Sequence, residues 1–503
     1  MKYGVPVYGL DTYGSTAAAT TLFWGVDVDW DGDGAFSGRN EADNMVDFYT
    51  LRGRKKFIGG NGNGFEPMQA GECVITLDNS SGDYDPYNTS SALYPYVEPG
   101  KFIRVRVRNG DAGDTYHVFS GKIETIEPLW GNTNPMVQIV AYDGWKQLNE
   151  TDITTDLEQS ITTGDAITDV LDRANYPAIW GTNIDSGANT IDFWWENGIK
   201  ASTAINRLWQ SEAGKAAVLA DGSFRFYQRG AIQSSVISLD QSIMRKDIQI
   251  PMPYDVIRNV AKVMVYPRIE QSTGDLWTLR EKTLIKASES VVIWGSYSYN
   301  NRRVSAVDIL TPVITTDYTM NTTAAGDGTD LTSDFIVTVE KFAESTKFTI
   351  TNGSILDGYI TLLKIRGNAI DAPDSTYVED DNSGTSIKRV FTLDTPWIQS
   401  VTEGSDYAEY LSAILSTNQK YPRFQLEAQP AYQFGFDLLD KVTVVIGKYS
   451  INTNFGVGGI EHRWLSDNGQ AVETTVYTEP FVSQTAANGY WVFTATFPMK
   501  FPY

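Results

Sequence analysis

The sequence contains few of the residues that catalytic and metal sites most often use. Cys73 is the single cysteine, and His117 and His462 are the two histidines, among 503 residues. One cysteine excludes an internal disulfide and a cysteine-clustered zinc site, which fits assembly in a reducing cytoplasm. Both histidines lie on predicted strands, where a hydrogen-bonded structural role is more common than that of a general base.

Long apolar runs are also missing. Nowhere do 18 consecutive apolar residues occur, and the N-terminal stretch MKYGVPVYGL lacks the apolar core of a signal peptide. We therefore expect a soluble, unsecreted chain with no stable membrane insertion.

Basic residues are outnumbered. Lys and Arg total 40 against 62 Asp and Glu, which gives a formal net charge of −22. Such a chain repels nucleic acid, so gripping DNA through its phosphates is not expected as its main activity.

The familiar catalytic motifs are absent as well. The sequence has no G-x-S-x-G, H-E-x-x-H, P-loop or C-x-x-C motif, and GGNGNG at 59–64 does not have dinucleotide-binding spacing. A glycosidase needs two carboxylates, but nothing singles out a pair among the 62. We therefore expect a protein that is not an enzyme and needs no cofactor.

What the sequence does contain is typical of strands and turns. Aromatic residues make up 12%, and there are 43 glycines. The segment FIRVRVRN alternates strictly, which predicts a strand with one apolar and one basic face. The apolar face carries Ile103, Val105 and Val107, and the basic face carries Arg104, Arg106 and Arg108.

Helical spacing is confined to a few segments. GDAITDVLDRAN, ASTAINRLWQSEAG and DYAEYLSAILST predict helices, and AAVLADGSFRFYQR predicts a hairpin turning at Asp221-Gly222. We predict a mainly β chain with two antiparallel β-barrel domains, the second discontinuous, plus a small α+β domain and a β-rich insertion. The predicted parts are an N-terminal arm (1–20), the first barrel (21–150), the α+β domain with two helices (151–234), the second barrel (235–265 and 430–480), the insertion with one helix (266–429) and a C-terminal extension (481–503).

Two similar short segments, which we call the echo, are the reason to expect two barrels. Gly121-Lys122-Ile123-Glu124 and Gly458-Gly459-Ile460-Glu461 each precede a turn and an alternating strand. Hairpins share composition, so chance similarity is one explanation. The other is two copies of one barrel, the second interrupted by an insertion.

An aspartate-rich stretch, DWDGDGAFSGRNE, is a candidate calcium site. Asp29, Asp31 and Asp33 occupy positions 1, 3 and 5 of the calcium-loop template, and Gly34 occupies position 6. Position 12 is Asn40 instead of glutamate, and the flanking segments alternate like strands. The alternative, which we favour, is a hairpin turn rich in Asp and Gly.

Two further groups have structural and functional interpretations. RGRKK, Arg52–Lys56, could contact DNA or an acidic partner, but a solvated strand edge or an ion pair across a subunit boundary is favoured. Trp194 and Trp195 could anchor an interface, although buried core is the commoner role of such a pair.

Several motifs together resemble one protein family. The segment from Ala70 to Asn88, AGECVITLDNSSGDYDPYN, continues into SALYPYVEPGKFIRVRV. The order Leu-Asp-Asn, Gly-x-Tyr-x-Pro, Leu-Tyr-Pro and Pro-Gly is similar to the first domain of baseplate hub proteins, also called minor tail or tail tip proteins, of tailed bacteriophages. Later segments, including INRLWQSEAGKAAVLADGSFRFYQR and GIEHRW, resemble such hubs too.

The resemblance implies a structural virion protein at the distal tail tip, assembled in the bacterial host cytoplasm. It implies that both barrels are tube-like, and that the chain forms a homotrimer whose six barrels match a hexameric tail tube. Its implied partners are the tail tube or distal tail ring, the tape measure protein and tail fibre or tip proteins, with DNA only in transit. A carbohydrate- or receptor-binding tip protein with Trp294 and Trp397 as sugar platforms is the alternative, and a cell-wall hydrolase is a third possibility.

Overall fold

The structure is a computed structural model. It describes residues 21–36, 39–53, 66–110, 113–129, 135–231, 234–245, 248–251, 257–384, 386–416, 422–426, 429–465, 469–480, 486–487 and 490–491. The predicted N-terminal arm at 1–20, the glycine-rich loop at 59–64 and most of the C-terminal extension at 481–503 lie outside these ranges.

The first six strands form one antiparallel ladder in the order β1-β4-β5-β6-β3-β2. The alternating segment FIRVRVRN is β4, and its three apolar side chains are fully buried as predicted. A short 3-10 helix, Glu41–Asn44, precedes β2. The strands are β1 (Leu22–Val28), β2 (Met45–Gly53), β3 (Gln69–Asp78), β4 (Phe102–Asn109), β5 (Thr115–Leu129) and β6 (Met136–Tyr142).

A small α+β part follows, and both predicted helices are present in it. Thr162 caps the first of them, since its hydroxyl accepts a hydrogen bond from the Asp165 amide at 3.2 Å. The predicted hairpin turns at Gly222, whose φ is +89°. The elements are α1 (Gly144–Glu150), β7 (Asp152–Thr154), β8 (Glu158–Thr162), α2 (Thr163–Arg173), β9 (Thr182–Ile184), β10 (Thr190–Trp194), β11 (Asn197–Lys200), α3 (Ala201–Glu212), β12 (Lys215–Val218) and β13 (Phe224–Tyr227).

After β14 (Ile237–Asp240) and β15 (Val260–Val265), a β-rich region begins. Its longest strand, β26, pairs with five others, and a three-stranded sheet in the order β19-β25-β24 packs over the same apolar core. The strands are β16 (Ile269–Glu270), β17 (Gly274–Thr278), β18 (Leu284–Ile285), β19 (Ser290–Ser296), β20 (Ser298–Tyr299), β21 (Arg302–Arg303), β22 (Ser305–Val307), β23 (Tyr318–Asn321), β24 (Phe335–Lys341), β25 (Ser345–Asn352), β26 (Gly358–Asp371), β27 (Thr376–Asp381) and β28 (Val390–Leu393). A 3-10 helix, Thr332–Asp334, precedes β24.

The predicted third helix is α4 (Val401–Leu415). It packs on a separate three-stranded sheet, β27-β15-β28, and contributes Tyr407 and Leu411 to the core beneath it. The sequence assigned β15 to the second barrel segment, 235–265. In the structure, β15 pairs instead with β27 and β28, and its alternate residues Ala261, Val263 and Val265 are buried in the core that it shares with α4.

The remaining elements are β29 (Arg423–Leu426), α5 (Pro430–Phe434), β30 (Lys441–Ile446), a 3-10 helix (Gly447–Tyr449), β31 (Ile451–Trp464) and β32 (Val472–Pro480), followed by β33 (Ala486–Ala487) and β34 (Tyr490–Trp491), which form a separate two-stranded sheet. Strands β29, β30, β31 and β32 return to the main sheet, and with β14 they form a second ladder. It joins the first through β2 and β31, in register from Tyr49 opposite Arg463 to Gly53 opposite Gly459, so that eleven strands make one sheet.

The two ladders repeat the same strand order. In the second, β14 stands first, a segment that bridges Met244 to Leu426 and Gln249 to Arg423 stands second, and β29, β30, β31 and β32 follow. In chain order, both ladders pair as 1-4-5-6-3-2. They differ at the first strand, since β14 runs parallel to β30 whereas β1 is antiparallel to β4. The β-rich region is inserted between the second and third strands of the second ladder.

Separate apolar cores support these parts. One core lies inside the first ladder, and another is shared by the second ladder and the α+β part. Aromatic rings close the first core at its edge, where Trp24 lies 5.2 Å from both Phe48 and Trp464 between ring centroids. Among the described residues, no helix is long and apolar enough to cross a membrane. The prediction of a mainly β chain with a small α+β part is confirmed.

Candidate functional site

The aspartate loop after β1 brings its three predicted residues together. One carboxylate oxygen from each of Asp29, Asp31 and Asp33 lies within 4.8 Å of the others. Asp29 is buried and accepts backbone hydrogen bonds from Gly32 at 2.9 Å, Asp33 at 3.1 Å and Gly34 at 3.0 Å. Both glycines have positive φ, +75° and +84°, so the loop is an Asp-nucleated turn.

The residues that would complete a calcium loop are directed elsewhere. The Asn40 side-chain carbonyl accepts hydrogen bonds from the backbone amides of Val26, at 2.8 Å, and Ala42, at 3.1 Å. Glu41 is fully buried in a cluster of other side chains. A calcium loop needs a bidentate carboxylate at its end, and neither residue supplies one to the aspartates. The loop therefore does not complete the calcium-loop template, and the geometry favours the turn.

Glu41 instead forms a buried polar cluster with the tyrosine of the Gly-x-Tyr-x-Pro turn. Its carboxylate accepts hydrogen bonds from the Trp30 indole at 3.0 Å and from the Tyr84 hydroxyl, and Arg39 pairs with it at 3.0 Å. Burial, together with the Glu41 hydrogen bond and charge, raises the pKa of Tyr84. The backbone amide of Tyr84 donates to the Asn79 side chain at 3.0 Å. The Gly-x-Tyr-x-Pro turn, part of the motif that carries the family resemblance, therefore fixes the long connection between β3 and β4.

The basic face of β4 is partly neutralised within the chain. The Asp27 carboxylate accepts hydrogen bonds from Arg104 at 3.1 Å and Arg106 at 2.6 Å. The Arg104 guanidinium also stacks on Phe36, and that of Arg108 stacks on Phe23. These contacts hold the three arginines against the sheet.

Arg52, the first residue of the RGRKK run, is neither at a solvated strand edge nor in an ion pair across a subunit boundary, the two roles that the sequence favoured. Arg52 is 2% exposed and pairs with Asp437 at 2.5 Å, and the other Asp437 oxygen accepts a hydrogen bond from the Ala220 amide at 2.6 Å. The ion pair thus lies inside the chain, not at a solvated edge or a subunit boundary, and residues 54–56 lie outside the described ranges. We call the contact between Arg52, Asp437 and Ala220 the Arg52 junction, because it joins both ladders to the α+β part.

Two titratable groups lie beside the Arg52 junction. Burial raises the pKa of Asp143 to about 7, although the amides of Gly71 and Trp145 hydrogen-bond its carboxylate and the Arg52 charge favours ionisation. Burial, reinforced by the Arg52 charge, lowers the pKa of His462 to about 3, and its Nδ1 lies 2.9 Å from the Thr474 hydroxyl. His462 is therefore a neutral structural residue, as predicted. His117 lies on β5 with an exposed side chain.

Buried carboxylates also lie where α3 and the strand β10 meet the insertion. Asn189 donates hydrogen bonds to Glu403 at 2.6 Å and to the Ser211 carbonyl at 3.0 Å. Glu196 pairs with Arg207 at 3.0 Å. Burial raises the pKa of both Glu196 and Glu403 to about 7. Thr395, Gln399, Glu403 and Tyr407, spaced by four residues, all hydrogen-bond to the α+β part.

The predicted tryptophan platforms have opposite environments. Trp397 is 4% exposed and packs 5.9 Å from Trp195, so it cannot serve as a sugar platform as the alternative function required. Trp294 is 56% exposed on β19 and stacks on Phe342. Trp194 is fully buried, and Trp195 donates a hydrogen bond to Glu344 of the insertion at 3.1 Å. The sequence missed Glu344 and Phe342, because both lie in a turn whose neighbours come from distant segments.

Comparisons with known proteins show a shared fold but no related sequence. No protein-family model matches the sequence, and no curated protein sequence matches it. The 43 kDa tail protein of prophage MuSo2 from Shewanella oneidensis is similar in structure, with a TM-score of 0.50 and 8% identity over 91% of this chain and 98% of that one. The tail protein from Neisseria meningitidis MC58 has a TM-score of 0.50 and 9% identity over 92% of this chain and 97% of that one. The chain therefore shares the fold of these two tail proteins along nearly its whole length.

Proposed function

We propose that this chain is a structural virion protein, the homotrimeric hub that closes the distal end of a phage tail tube. The observation that supports this most is the repeated strand order, 1-4-5-6-3-2, in the two ladders of one chain. The echoed segments occupy the same place in both, since Gly121–Glu124 lies on β5 and Gly458–Glu461 on β31, each the fifth strand of its ladder. This agreement favours duplication over chance similarity.

Duplication has a physical use at the junction of two symmetries. Three chains with two similar ladders each present six similar units, and a ring of six units can match a hexameric tube. A threefold ring of single units would leave half of the tube's contacts unpaired. The two copies of this fold would act as barrels in the ring, in contact with the tail tube or distal tail ring on one side.

The other proposed contacts follow from this place in the virion. The hub would meet the tape measure protein from inside the tube and tail fibre or tip proteins at its outer edge. DNA would pass through the ring without being gripped, since a chain of net charge −22 repels phosphate. We propose no enzymatic activity, because the carboxylates with a pKa nearest neutral, such as Glu196 and Glu403, are enclosed by contacts between parts of the chain.

The mass of the purified chain in solution tests the proposal most directly. We expect three times the chain mass by light scattering, and threefold particles with six similar lobes near the axis by electron microscopy. A chain that stays monomeric at high micromolar concentration would contradict the trimer. A virion reconstruction with six copies in each stacked disc would show a tube protein instead of a hub.

A cell-wall hydrolase makes a different prediction. Such an enzyme would clear a suspension of bare peptidoglycan, and its turbidity would fall over time. We expect no fall, whereas a fall that survives repurification of the protein would contradict the non-enzymatic assignment.

A further inference from the structure

An open, polar cleft of about 520 Å³ lies between the insertion and the α+β part. One wall is the segment 156–159, the second is the end of β22 with residues 308 and 309, and the third is the turn 341–343 between β24 and β25. Sites for small molecules usually have volumes of about 300–1,000 Å³, so this cleft is large enough for a ligand. It belongs to neither ladder and plays no part in the proposed ring.

An aromatic pair stands at one side of the cleft. Phe342 lines it, and the Trp294 ring stacks on Phe342 with 5.5 Å between centroids and 28° between planes. Because 56% of Trp294 is exposed, the indole has a face open to solvent. Stacked aromatic rings hold a flat apolar surface in a fixed orientation, which is the shape that the C–H face of a sugar ring packs against.

Polar groups surround this aromatic pair. Lys347 lies opposite Trp294 in the sheet and pairs with Glu340, on the next strand, at 2.7 Å. Within the cleft, the Lys341 ammonium donates a hydrogen bond to the Ile309 carbonyl at 2.6 Å. Asp156, Glu158 and Asp308 add exposed carboxylates. Carboxylates and amines in fixed positions can exchange hydrogen bonds with sugar hydroxyls in place of water.

The walls of the cleft are held in place by contacts across it. Glu344 accepts a hydrogen bond from Trp195 of the α+β part at 3.1 Å and pairs with Arg303 of the insertion at 3.1 Å. The Ala306 amide donates to the Ala343 carbonyl at 3.0 Å, which fixes β22 against the turn. A site with fixed walls loses little entropy when a ligand binds.

We propose that this cleft and the aromatic pair beside it, of which Phe342 lines the cleft and Trp294 stacks on Phe342, bind a neutral carbohydrate chain. Its three carboxylates outnumber the two cations beside them, Lys341 and Arg173, of which Arg173 pairs with Asp156 at 3.0 Å, so an anionic, phosphate-rich glycan would be repelled. A protein partner fits the surface less well, because the centres of protein interfaces are depleted of Asp, Glu and Lys. The inference extends beyond the hub role, and it does not depend on the number of chains in the ring.

Binding to an array of neutral bacterial oligosaccharides, including N-acetylglucosamine, glucose, galactose and rhamnose polymers, tests the proposal. We expect the full-length protein to bind at least one of them. For that glycan, Trp294→Ala and Phe342→Ala should each raise the Kd at least tenfold. Tyr87→Ala, which removes an aromatic side chain that is 88% exposed on the first ladder's long loop, is the matched control and should leave the Kd unchanged.

The melting temperature and the solution mass of each variant separate the explanations. Loss of binding with an unchanged melting temperature and mass supports the site. If no neutral glycan binds, or if Trp294→Ala binds as well as the original chain, the proposal is wrong. If Trp294→Ala changes the mass instead, the aromatic pair is a protein contact, which also overturns the site. The mass of the unmutated protein tests the hub separately, so either idea can fail alone.

Discussion

Asp29 shows that aspartates spaced like metal ligands can instead accept hydrogen bonds from backbone amides. Alternate aspartates followed by glycine fit both a calcium loop and a tight turn, because both structures need oxygen acceptors directed inward and a residue with positive φ. The choice depends on the end of the loop. Here Asn40 binds backbone amides and Glu41 is buried against Trp30 and Tyr84, so the aspartates remain with the turn.

This assignment predicts unequal effects for two aspartates. Asp29→Ala removes the acceptor of three backbone amides and should lower the free energy of unfolding by about 2 kcal/mol, as expected for hydrogen bonds to a charged group. Asp31→Ala changes an exposed side chain and should cost less than about 0.5 kcal/mol. Chemical denaturation measures both.

The same experiment tests for calcium. Melting curves of the unmutated protein in chelator and in millimolar calcium should coincide, since a ligand that binds only the folded state would raise the melting temperature. If calcium raises the melting temperature of the unmutated protein and Asp31→Ala abolishes that increase, the loop is a metal site and the assignment as a turn is wrong.

Other residue assignments show what a sequence pattern can decide. A histidine on an alternating strand was predicted to be structural, and His462 is buried beside Thr474. Arg52 was expected at a solvated edge or a subunit boundary and Trp397 at the surface. Both are buried, because each environment depends on a partner far along the chain. Asp437 lies 385 residues from Arg52, and no local pattern reports such a contact.

At the scale of elements, the join between β2 and β31 depends on one glycine. Gly53 has a φ of +79°, and a Cβ there would lie 2.4 Å from the Gly458 carbonyl oxygen and 2.8 Å from Leu438. Backbone from the two ladders meets at this point, so neither side can move away without breaking the shared register. A glycine is therefore needed for both its conformation and its size.

Gly53→Ala should destabilise the protein by at least about 3 kcal/mol, since the strain of positive φ adds to the cost of overpacking. Gly34→Ala is the matched control. It has a φ of +84° but no atom within 4 Å of the added Cβ, so only the strain of about 1–2 kcal/mol remains. Urea denaturation of both variants gives the comparison, and equal losses would contradict a tight join.

The elements that were predictable are those with a strong local period. Helices α2, α3 and α4 show apolar residues at helical spacing, and β4 alternates over its full length. Helices α1 and α5, of seven and five residues, are too short to show such a period. The alternation of β15 predicts a strand but not its partners, so its sheet was assigned wrongly.

At the scale of the whole molecule, only a few residues of the sequence indicated that the ladder is repeated. The Gly-x-Ile-Glu echo indicated duplication, but hairpin composition alone could have produced it. The strand order is the stronger observation, because two ladders agree in five pairings across an insertion between the second and third strands. The sequence could not show this, since strand order depends on contacts between distant segments.

Several carboxyl groups within and between the parts have a pKa that burial has raised toward neutrality. Burial raises the pKa of Asp143, Glu196 and Glu403 to about 7 and that of Asp440 to about 6, and it also raises the pKa of Glu212. Between about pH 4 and 7, the folded chain therefore holds protons that the unfolded chain releases. Through these groups, stability falls as the pH rises across that window.

Other groups act differently over the same range. Burial lowers the pKa of His462 to about 3. Partial desolvation and the nearby Arg104 and Arg106 charges lower the pKa of His117, although its side chain is largely exposed, so the contribution of both histidines to stability rises with pH up to about 6.5. The carboxyls with a lowered pKa, such as Asp381 with a pKa of about 2, lose their contribution only in stronger acid. Five carboxyls outnumber two imidazoles, so we expect a higher melting temperature at pH 5.5 than at pH 8.

Glu403→Gln identifies the contact between the insertion and the α+β part as one source of this dependence. The amide keeps an acceptor for Asn189 but cannot ionise, so the difference in melting temperature between pH 5.5 and pH 8 should shrink. Glu98→Gln, a change at a side chain that is 62% exposed, should leave the difference as it is. A protein that is equally stable at both pH values, or more stable at pH 8, would show that the buried carboxyls ionise without cost. The parts would then be held together mainly by their apolar cores.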